Sequence, residues 1–476
     1  MTLPVVPFVL SFAAVVAPPG GKGGDARPRE LVTCCHPGAH GILEGGPLLL
    51  EAPAPAGDSF TAWPFATIES NGPVGNRIDI VFVGDGFQSA QLAGYATIVA
   101  QRWATIRTTE PYVSYHRYFN AHRVDVASVD SGVDNDPTQG VLRNTALDMG
   151  FWCSGIERLL CVSTSKAAQA ASCAPQWNQI LAVANSTKYG GAGYPTNDVC
   201  TFSSGNTSSL EVALHELGHS FGDLADEYDY ADGTVYSGPE VGEANVSIQT
   251  QAQMQAAGNK WSAWLGVSLP TVGTHGAFEG ARYYQFGIRR PTSNSLMRSL
   301  GVPYNGPSLE QMIVKIHQQT AMVDGATPVA GSTVVRGAAV TAEVVQPSLH
   351  ALSLQWTLNG ANIPGATGAS IDTAALPVGP TPAQLRLVIV DPTTKVRNET
   401  LRTQWMRETY QWSLVRDACP ADQDRDGAVN GADLALLLSA WSFTGVAAGR
   451  ADLDGDGVVG GADLALLLAA WGSCGA

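Results

Sequence analysis

The sequence predicts a multidomain protein in which an α/β domain is followed by an all-β, immunoglobulin-like sandwich and a small α-helical domain. Three observations lead to this order. Patterns of a strand, a helix and a strand follow one another between residues 78 and 126, as in an α/β layer. Between residues 326 and 415, apolar and polar residues alternate in short runs with an early tryptophan, as in a β-sandwich. Residues 416–476 repeat their pattern with a period of 30.

Local patterns set the expected elements of the α/β domain. Residues 78–83 are a β-branched and aromatic run closed by glycines, which predicts a buried strand. Residues 88–107 have helical spacing, and residues 119–126 predict a second strand. Asp85 is expected to cap the helix that begins near Ser89, with a functional role as the less favoured alternative.

A His-Glu-x-x-His motif lies in a predicted helix over residues 209–222. Residues four apart share one helix face, so His215 and His219 can direct two imidazole nitrogens at a single metal ion. Glu216 lies beside them and is not a ligand, so its carboxylate can take a proton from a water that the metal has acidified. The motif therefore predicts a zinc hydrolase site with Glu216 as the general base.

A catalytic zinc needs a third protein ligand and one open position. Gly222 is expected to adopt a positive φ, end the helix and return the chain toward the metal. Asp223 follows that glycine too closely to reach back. Asp226 is the favoured third ligand and Glu227 the alternative, because the carboxylate that does not bind can orient a ligand instead.

The segment from His215 to Tyr228 resembles the signature of the bacterial family typified by the IgA-specific metallo-endopeptidase, among the metzincin-like zinc peptidases. Other stretches agree with the family in order and spacing, and these are residues 70–73, 76–87, 185–193, 278–281, 289–291 and 296–298. The resemblance covers residues 66–325. It implies a zincin-like, metzincin-type peptidase fold acting on protein or peptide substrates, with Met297 in a Met-turn under the metal. It does not imply cleavage of IgA.

The resemblance also sharpens two details of the site. In metzincin-type peptidases the third ligand comes six residues after the second histidine, where this chain has Ala225, so the ligand must lie further on. In this clan an edge strand beside the cleft holds extended substrate through backbone hydrogen bonds. The glycines of residues 188–193, which predict a tight loop, are candidates for that place, after a helix or strand over residues 176–184.

Several further residues are weaker candidates. A phenol that stabilises the developing oxyanion is expected among Tyr228, Tyr283, Tyr284 and Tyr304. His275 is a lone histidine, for which a loop or core position is favoured over a fourth-ligand role. Thr207 or Ser208 is expected to cap the motif helix, Ser208 forming a capping box with Glu211.

The C-terminal repeat has the spacing of a calcium loop, with acids at positions 1, 3, 5 and 12 and glycine at position 6. Each loop precedes one short helix, and the pair resembles a dockerin module, which implies a cohesin-like protein partner; a purely structural calcium is the alternative. Gly460 supplies no side chain at position 9 of the second loop, which weakens that site. The candidate calcium ligands are Asp422, Asp424, Asp426, Ala428, Asn430 and Asp433, then Asp452, Asp454, Asp456, Val458 and Asp463.

Cysteine usage and the N-terminus point to export. Residues 1–17 contain an apolar run that resembles a signal peptide, and residues 18–65 predict a partly disordered leader with one or two edge strands around residues 46–51. No later stretch is long and apolar enough to span a bilayer. Cysteines at 153, 161, 173 and 200 are expected to be structural staples, and Cys419 and Cys474 to close the C-terminal module with a disulfide.

These features predict a secreted or extracellular zinc endopeptidase, with attachment to a cell surface as an open point. The net charge of −15 and the absence of basic patches argue against nucleic acid as a partner. The alternative is a catalytically idle binding or adhesion protein on a peptidase-like scaffold. The presence of Glu216 between the two histidines favours the enzyme, because an idle scaffold has no need of a base there.

Overall fold

The computed structural model describes residues 29–33, 35–37, 43–45, 48–51, 62–379, 381–416 and 419–474. The expected signal peptide, residues 1–17, lies outside these ranges. The strands are β1 Arg29–Val32, β2 Cys35–Pro37, β3 Leu43–Gly45, β4 Leu48–Glu51, β5 Phe65–Glu69, β6 Ile78–Asp85, β7 Phe119–Val124, β8 Gln179–Ala184, β9 Gly191–Tyr194, β10 Val199–Ser203, β11 Ser268–Leu269, β12 Gly273–Thr274, β13 Phe278–Ala281, β14 Tyr284–Arg290, β15 Val323–Thr327, β16 Thr333–Val335, β17 Ala339–Val344, β18 Ser353–Leu358, β19 Ala361–Asn362, β20 Ser370–Asp372, β21 Ala383–Val390, β22 Arg407–Val415, β23 Ala428–Val429 and β24 Gly472–Ser473. The α-helices are α1 Leu92–Ile106, α2 Tyr112–Tyr115, α3 Thr164–Ala171, α4 Ser209–Ser220, α5 Gln251–Ala257, α6 Gly306–Gln319, α7 Glu399–Trp405, α8 Gly431–Ser439 and α9 Gly461–Ala469.

A six-stranded sheet forms the centre of the α/β domain, in the order β5-β7-β6-β8-β10-β9. Strands β7, β6, β8 and β10 run parallel, while β5 and β9 are antiparallel strands at the two edges. Every residue of β6, β8, β9 and β10 is buried, because helices or loops cover both faces. Strand β9 therefore brings its glycines to one edge of the sheet.

The two faces of the sheet carry separate apolar cores. On one face, Ile80 and Phe82 pack with α1, α4 and α6, and on the other Val81 and Val83 pack with α3. This alternation follows from the period of two along a strand. On α1 the buried residues recur with helical spacing, at Tyr95, Val99, Trp103 and Ile106. The result places α4 tightly between the sheet and α6.

The expected strand–helix–strand order is present; the first strand extends two residues further than predicted, to Asp85, and the helix and second strand are shorter. A 3-10 turn at 89–91 precedes α1, and the second strand ends at residue 124. Asp85 is not a helix cap: it is buried and accepts hydrogen bonds from the backbone of Leu147 and Met149, at 3.0 and 2.8 Å. Asp85 thus ties a long loop to the end of β6, a contact that local patterns do not reveal.

Two sheets downstream share one apolar core. One has the order β15-β17-β20 and the other β16-β22-β21-β18-β19. Trp356 and Trp412 lie fully buried between them with ring centroids 5.3 Å apart. The all-β character agrees with the alternating pattern of the sequence, and the immunoglobulin-like topology stays a prediction.

This sandwich packs directly on the α/β domain. The buried carboxylate of Asp391 accepts hydrogen bonds from Tyr115 Oη at 2.7 Å, His317 Nε2 at 3.2 Å and His350 Nε2 at 2.8 Å. Tyr115 and His317 belong to the α/β domain, and Asp391 and His350 to the sandwich. The Tyr118 hydroxyl also donates to the Val345 carbonyl, at 2.7 Å. The two units therefore share a buried polar interface.

The C-terminal repeat folds as two loop–helix units. Helices α8 and α9 contact each other around a small apolar core that includes Leu437 and Leu467. Strands β23 and β24 pair antiparallel, and a disulfide joins Cys419 to Cys474 as the sequence predicts. Within the residues that the structure describes, no helix combines the length and apolar character needed to cross a bilayer.

Disulfide pairing elsewhere only partly follows the expectation. Cys153 bonds to Cys161 and fastens a loop. Cys173 and Cys200 are not bonded, so the prediction that all four are staples is wrong. The reason is positional: Cys200 is a core residue of β10, where burial raises the pKa of its thiol well above the ordinary value, and Cys173 accepts a hydrogen bond from the Trp63 amide.

Candidate active site

Helix α4 carries the His-Glu-x-x-His motif in the interior of the molecule. His215, Glu216 and His219 are all fully buried. The Nε2 atoms of the two histidines lie 3.0 Å apart, as expected for residues one helical turn apart on the same face. The motif residues are therefore brought together as the sequence predicts.

Backbone carbonyls fix the orientation of both imidazoles. His215 Nδ1 donates to the Leu296 carbonyl at 3.0 Å, and His219 Nδ1 donates to the Leu224 carbonyl at 2.7 Å. A carbonyl can only accept, so each Nδ1 carries a proton, and Nε2 is the nitrogen left to bind a metal. Both Nε2 atoms are then available at the point where the rings converge.

Asp226 completes a triangle with the two histidines. Its Oδ1 lies 3.1 Å from His215 Nε2 and 3.2 Å from His219 Nε2, and its Oδ2 accepts a hydrogen bond from Tyr283. Burial raises the pKa of Asp226, but the adjacent histidines outweigh burial and hold this pKa well below its ordinary value. Burial likewise lowers the pKa of His219, and Asp226 reverses that, so the net shift is upward.

The donor set fits a metal ion. Two lone-pair nitrogens and an ionised oxygen, all buried and about 3 Å apart, repel one another unless a cation lies among them. Ligands at about 2.0 to 2.1 Å from a tetrahedral zinc would lie roughly 3.3 Å apart, close to the separations seen here. A carboxylate oxygen of Glu216 also lies within 4.8 Å of a nitrogen of each histidine, close enough to reach a water bound to such an ion.

Glu216 faces the edge strand β9. A Cβ placed on Gly193 would lie 3.1 Å from Glu216 Oε2, and one placed on Gly191 would lie 3.3 Å from Glu216 Oε1. The glycines of β9 thus let the strand approach the carboxylate closely. The tight loop expected over residues 188–193 is wrong in its last part, because residues 191–193 belong to this strand, as the family resemblance implies.

Met297 lies directly under the motif helix. It is fully buried, and a Cβ on Gly218 would come within 2.5 Å of its Sδ. The turn around it is tight, since Arg298 N and Ser299 N both donate to the Ser295 carbonyl at 2.9 Å. The same turn supplies the Leu296 carbonyl to His215, so it sets the orientation of one imidazole.

Glu227 points away from the histidine pair. Its buried carboxylate accepts hydrogen bonds from Ser295 Oγ at 2.7 Å, Asn245 Nδ2 at 2.9 Å and Asn305 Nδ2 at 2.8 and 2.9 Å. Burial raises the pKa of Glu227 and these hydrogen bonds lower it, but burial outweighs them, so the net shift is upward. The carboxylate therefore joins the Met297 turn, the Asn245 loop and the start of α6.

The chain reverses after α4 in a way that corrects the expected turn. Gly222 does not have a positive φ; Asp223 does, at 52°. Gly222 is needed for space instead, because a Cβ there would lie 2.5 Å from Met312 Sδ. A short polar residue such as Asp tolerates the left-handed region, and its carboxylate pairs with Lys315. The turn still delivers Asp226 to the histidines.

Asn245 holds the backbone next to Asp226, and sequence reasoning did not find it. Its Oδ1 accepts from Ala225 N at 2.9 Å, and its Nδ2 donates to Ala225 O at 2.8 Å. The Asp226 carbonyl accepts from Arg282 N at 3.0 Å. An asparagine in a loop gives no sequence signal for such a clamp, and the carbonyls of Leu224 and Leu296 give none either.

The four tyrosines considered for stabilising the oxyanion differ in their contacts. Tyr304 donates to the Leu214 carbonyl and Tyr283 donates to Asp226, while Tyr284 is exposed against Tyr236. Tyr228 is fully buried with its ring against Tyr283, at a centroid distance of 5.2 Å.

His275 lies in a hydrogen-bond chain outside the metal group. Its Nδ1 donates to Val267 O at 2.6 Å, and its Nε2 accepts from Gly306 N at 2.9 Å, at the start of α6.

Ser208 is the first residue before α4, yet its side chain makes no capping hydrogen bond, so the expected capping box with Glu211 is wrong. Asn206 Oδ1 accepts from Ser208 N at 2.9 Å in its place.

The two C-terminal loops form nearly the same hydrogen bonds at equivalent positions. Asp433 accepts from Asp424 N at 3.1 Å in the first loop, and Asp463 accepts from Asp454 N at 3.1 Å in the second. The carboxylates of positions 1, 3 and 12 converge in each loop and could hold a cation there. They are Asp422, Asp424 and Asp433 in the first loop, and Asp452, Asp454 and Asp463 in the second. The remaining candidates border the same loops: Asp426 accepts from Ala428 N at 2.9 Å and from Asn430 Nδ2, and Asp456 accepts from Val458 N at 2.8 Å.

With a buried motif helix, converging imidazoles and a sheet edge alongside, the α/β domain has the arrangement of a metallopeptidase. Residues 66–275 match the family model described as IgA Peptidase M64. The match supports an IgA-peptidase-like family for this part of the chain, and with it a hydrolase that acts on peptide bonds. The match ends before Met297, so it is shorter than the range 66–325 that the sequence resemblance covers. No curated protein matches the chain.

Proposed function

We propose that the protein is a secreted zinc-dependent endopeptidase in which His215, His219 and Asp226 bind the metal and Glu216 is the general base. The single observation that carries the proposal is the buried triangle of His215 Nε2, His219 Nε2 and Asp226 Oδ1, with separations of 3.0 to 3.2 Å. Asp226 fits the ligand role better than Glu227, whose oxygens are taken up by Ser295, Asn245 and Asn305.

The chain's own residues account for most of the chemistry. A zinc ion held here would acidify a water and polarise the scissile carbonyl. Glu216 lies beside the ligands without being one, so its carboxylate would take a proton from such a water and pass it to the leaving amine. Gly191 and Gly193 let β9 lie against this carboxylate, so an extended substrate paired with the strand would lie next to the base. Tyr283 and the Leu224 and Leu296 carbonyls keep the three ligands oriented.

Replacement of the base tests the mechanism. Glu216→Gln should keep the bound zinc and lower kcat by about 10² to 10⁴, the usual contribution of a general base. Zinc per mole by elemental analysis and hydrolysis of an unbiased peptide library give the two readouts. Glu211→Gln, one helical turn before His215 and half-buried, is the matched control because it removes a charge from the same helix and leaves Glu216 in place. Near-normal hydrolysis by Glu216→Gln would remove the mechanism.

The C-terminal repeat is proposed to bind two calcium ions and to dock a cohesin-like protein. Convergent carboxylates in both loops support calcium. An exposed apolar row on the paired helices supports docking, because Leu436, Leu438 and Trp441 of the first unit recur as Leu466, Leu468 and Trp471 of the second, each 42 to 51% exposed. Export is consistent with the disulfides at Cys153–Cys161 and Cys419–Cys474.

A further inference from the structure

The edge strand β9 is covered at Gly193 by the chain's own N-terminal segment, while Leu159 pairs with Gly191 at its other end. Thr33, directly after β1, pairs antiparallel with Gly193. Thr33 N donates to Gly193 O at 2.8 Å, Gly193 N donates to Thr33 O at 3.1 Å, and Thr33 Oγ1 donates to the same Gly193 carbonyl at 3.1 Å. This is the backbone pairing by which an extended peptide adds to a sheet edge.

The pairing lies immediately beside the candidate catalytic residues. The point where a Cβ of Gly193 would sit is 2.8 Å from Thr33 Oγ1, 2.8 Å from His219 Cβ and 3.1 Å from Glu216 Oε2. The Thr33 side chain therefore enters the space next to the proposed base. His215, Glu216 and His219 have no solvent-exposed surface with the segment in place.

The segment is anchored and does not merely lie across the surface. Val32 is fully buried in the core that also contains Ala192 and Tyr194 of β9. Glu30 accepts a hydrogen bond from Thr164 Oγ1 at 2.5 Å. Strand β4 pairs with β1 along its whole length and adds Leu48 and Leu50 to the same core. Together these contacts give the segment a defined seat on the α/β domain.

We propose that residues 29–33 are a built-in pseudosubstrate strand, which occupies the peptide-binding edge β9 and keeps the metal centre closed until the segment is displaced. The occupant is this chain itself, bound by the same main-chain hydrogen bonds that an extended polypeptide substrate would use. The inference rests on the proposed function, since only an active metal centre needs closing. It adds that the full chain is a latent form of the enzyme.

Substitution of the anchor tests the inference in the full-length, zinc-loaded protein. Val32→Asp puts a charge into an apolar core and should expel the segment. Thr33→Pro removes the amide that donates to Gly193 and should have the same effect if Val32→Asp fails to fold. For either variant, kcat/KM for a quenched fluorescent peptide library should rise at least tenfold. Leu49→Asp is the matched control on β4, because Leu49 is 63% exposed, and should change kcat/KM by less than twofold.

Two readouts separate this inference from the proposed function. Amide hydrogen exchange at residues 191–194 should become faster in Val32→Asp, because the Gly193 amide loses its acceptor. A peptide hydroxamate, which binds zinc and the edge strand without being cleaved, should bind the variant at least tenfold more tightly than the parent.

If the parent hydrolyses the library, faster exchange with unchanged hydroxamate affinity or unchanged kcat/KM would overturn the pseudosubstrate role. Absence of hydrolysis by parent and variants alike, with zinc bound and hydroxamate affinity raised, would instead overturn the endopeptidase proposal and leave the covering role standing. A synthetic peptide of residues 29–37 should inhibit the opened variant competitively; no inhibition at millimolar concentration would count against the inference.

Discussion

At the scale of single residues, the site depends on which carboxylate reaches the histidines. Asp226 and Glu227 are neighbours in sequence, yet one has an oxygen 3.1 Å from His215 Nε2 and the other accepts hydrogen bonds from Asn245, Asn305 and Ser295. The turn decides between them, because the positive φ of Asp223 and the clamp on Ala225 direct the next side chain inward.

Exchange of each carboxylate tests this division. Asp226→Ala should strip the zinc and abolish hydrolysis, since two imidazoles alone hold the ion weakly. Glu227→Ala should keep the zinc and lower kcat/KM by about 10- to 100-fold through loss of orientation. Zinc per mole of each purified variant is the deciding measurement. Full occupancy in Asp226→Ala together with loss in Glu227→Ala would reverse the two roles.

At the scale of elements, the sequence predicts helices and strands whose side chains recur periodically. It does not predict hydrogen bonds between residues that are distant in sequence. The histidine pair could be placed on one face of α4 because a helix repeats every 3.6 residues. The buried strand β6 could be placed because residues 78–83 are β-branched or aromatic except for Asp79. The cover on β9 could not, because Thr33 and Gly193 are 160 residues apart and are joined by backbone atoms. The hydrogen bond between Asp85 and the backbone of a distant loop could not be predicted for the same reason.

The proposed calcium loops give a prediction at the level of an element. Carboxylates at positions 1, 3 and 12 repel in the absence of a cation. A hydrogen bond from the Asp426 backbone lowers the pKa of Asp424, but desolvation and the neighbouring carboxylates outweigh it, so the net shift is upward. A chelator should therefore loosen α8 and α9, whose shared core is small, while α4 is unaffected. Hydrogen exchange of the full chain with and without chelator measures this, and unchanged exchange in both helices would contradict it.

Calorimetric titration with calcium extends the same test. The parent should bind two ions, and Asp433→Asn and Asp463→Asn should each bind one. Asp433→Asn should retain the weaker site, because Gly460 offers no side chain where the first loop has Asn430. Equal affinities of the two single-site variants would remove this distinction.

At the scale of the whole molecule, the sandwich is attached to the α/β domain through the buried carboxylate of Asp391. Burial raises the pKa of Asp391, but hydrogen bonds from His317 and His350 outweigh it and keep the pKa well below its ordinary value. A carboxylate with a lowered pKa in the folded state stabilises the fold above its ordinary pKa of about 4, and this contribution is lost as the pH falls. The attachment is therefore strongest at neutral pH.

Asp391→Asn should lower the free energy of unfolding by about 3 kcal/mol at pH 7, because the donors of His317 and His350 lose their charged acceptor. The difference between parent and variant should shrink as the pH falls below about 4. Urea unfolding of both proteins at a series of pH values measures it. Asp372→Asn, at an exposed aspartate of the same sandwich, should change stability by less than about 0.5 kcal/mol. A loss for Asp391→Asn that is the same at every pH would show that packing, and not charge, is responsible.

The pairing of Thr33 with β9 also bears on how readily the protein aggregates. A sheet edge with unused amide and carbonyl groups is a template on which other chains, including copies of the same chain, can polymerise. Glycine-rich strands such as Gly191–Tyr194 are weakly protected, because they lack the charged side chains that usually blunt an edge. Thr33 pairs with Gly193 and Leu159 pairs with Gly191, so this edge already has partners within one molecule. The segment that covers Gly193 thus also withholds this part of the edge from pairing with other chains.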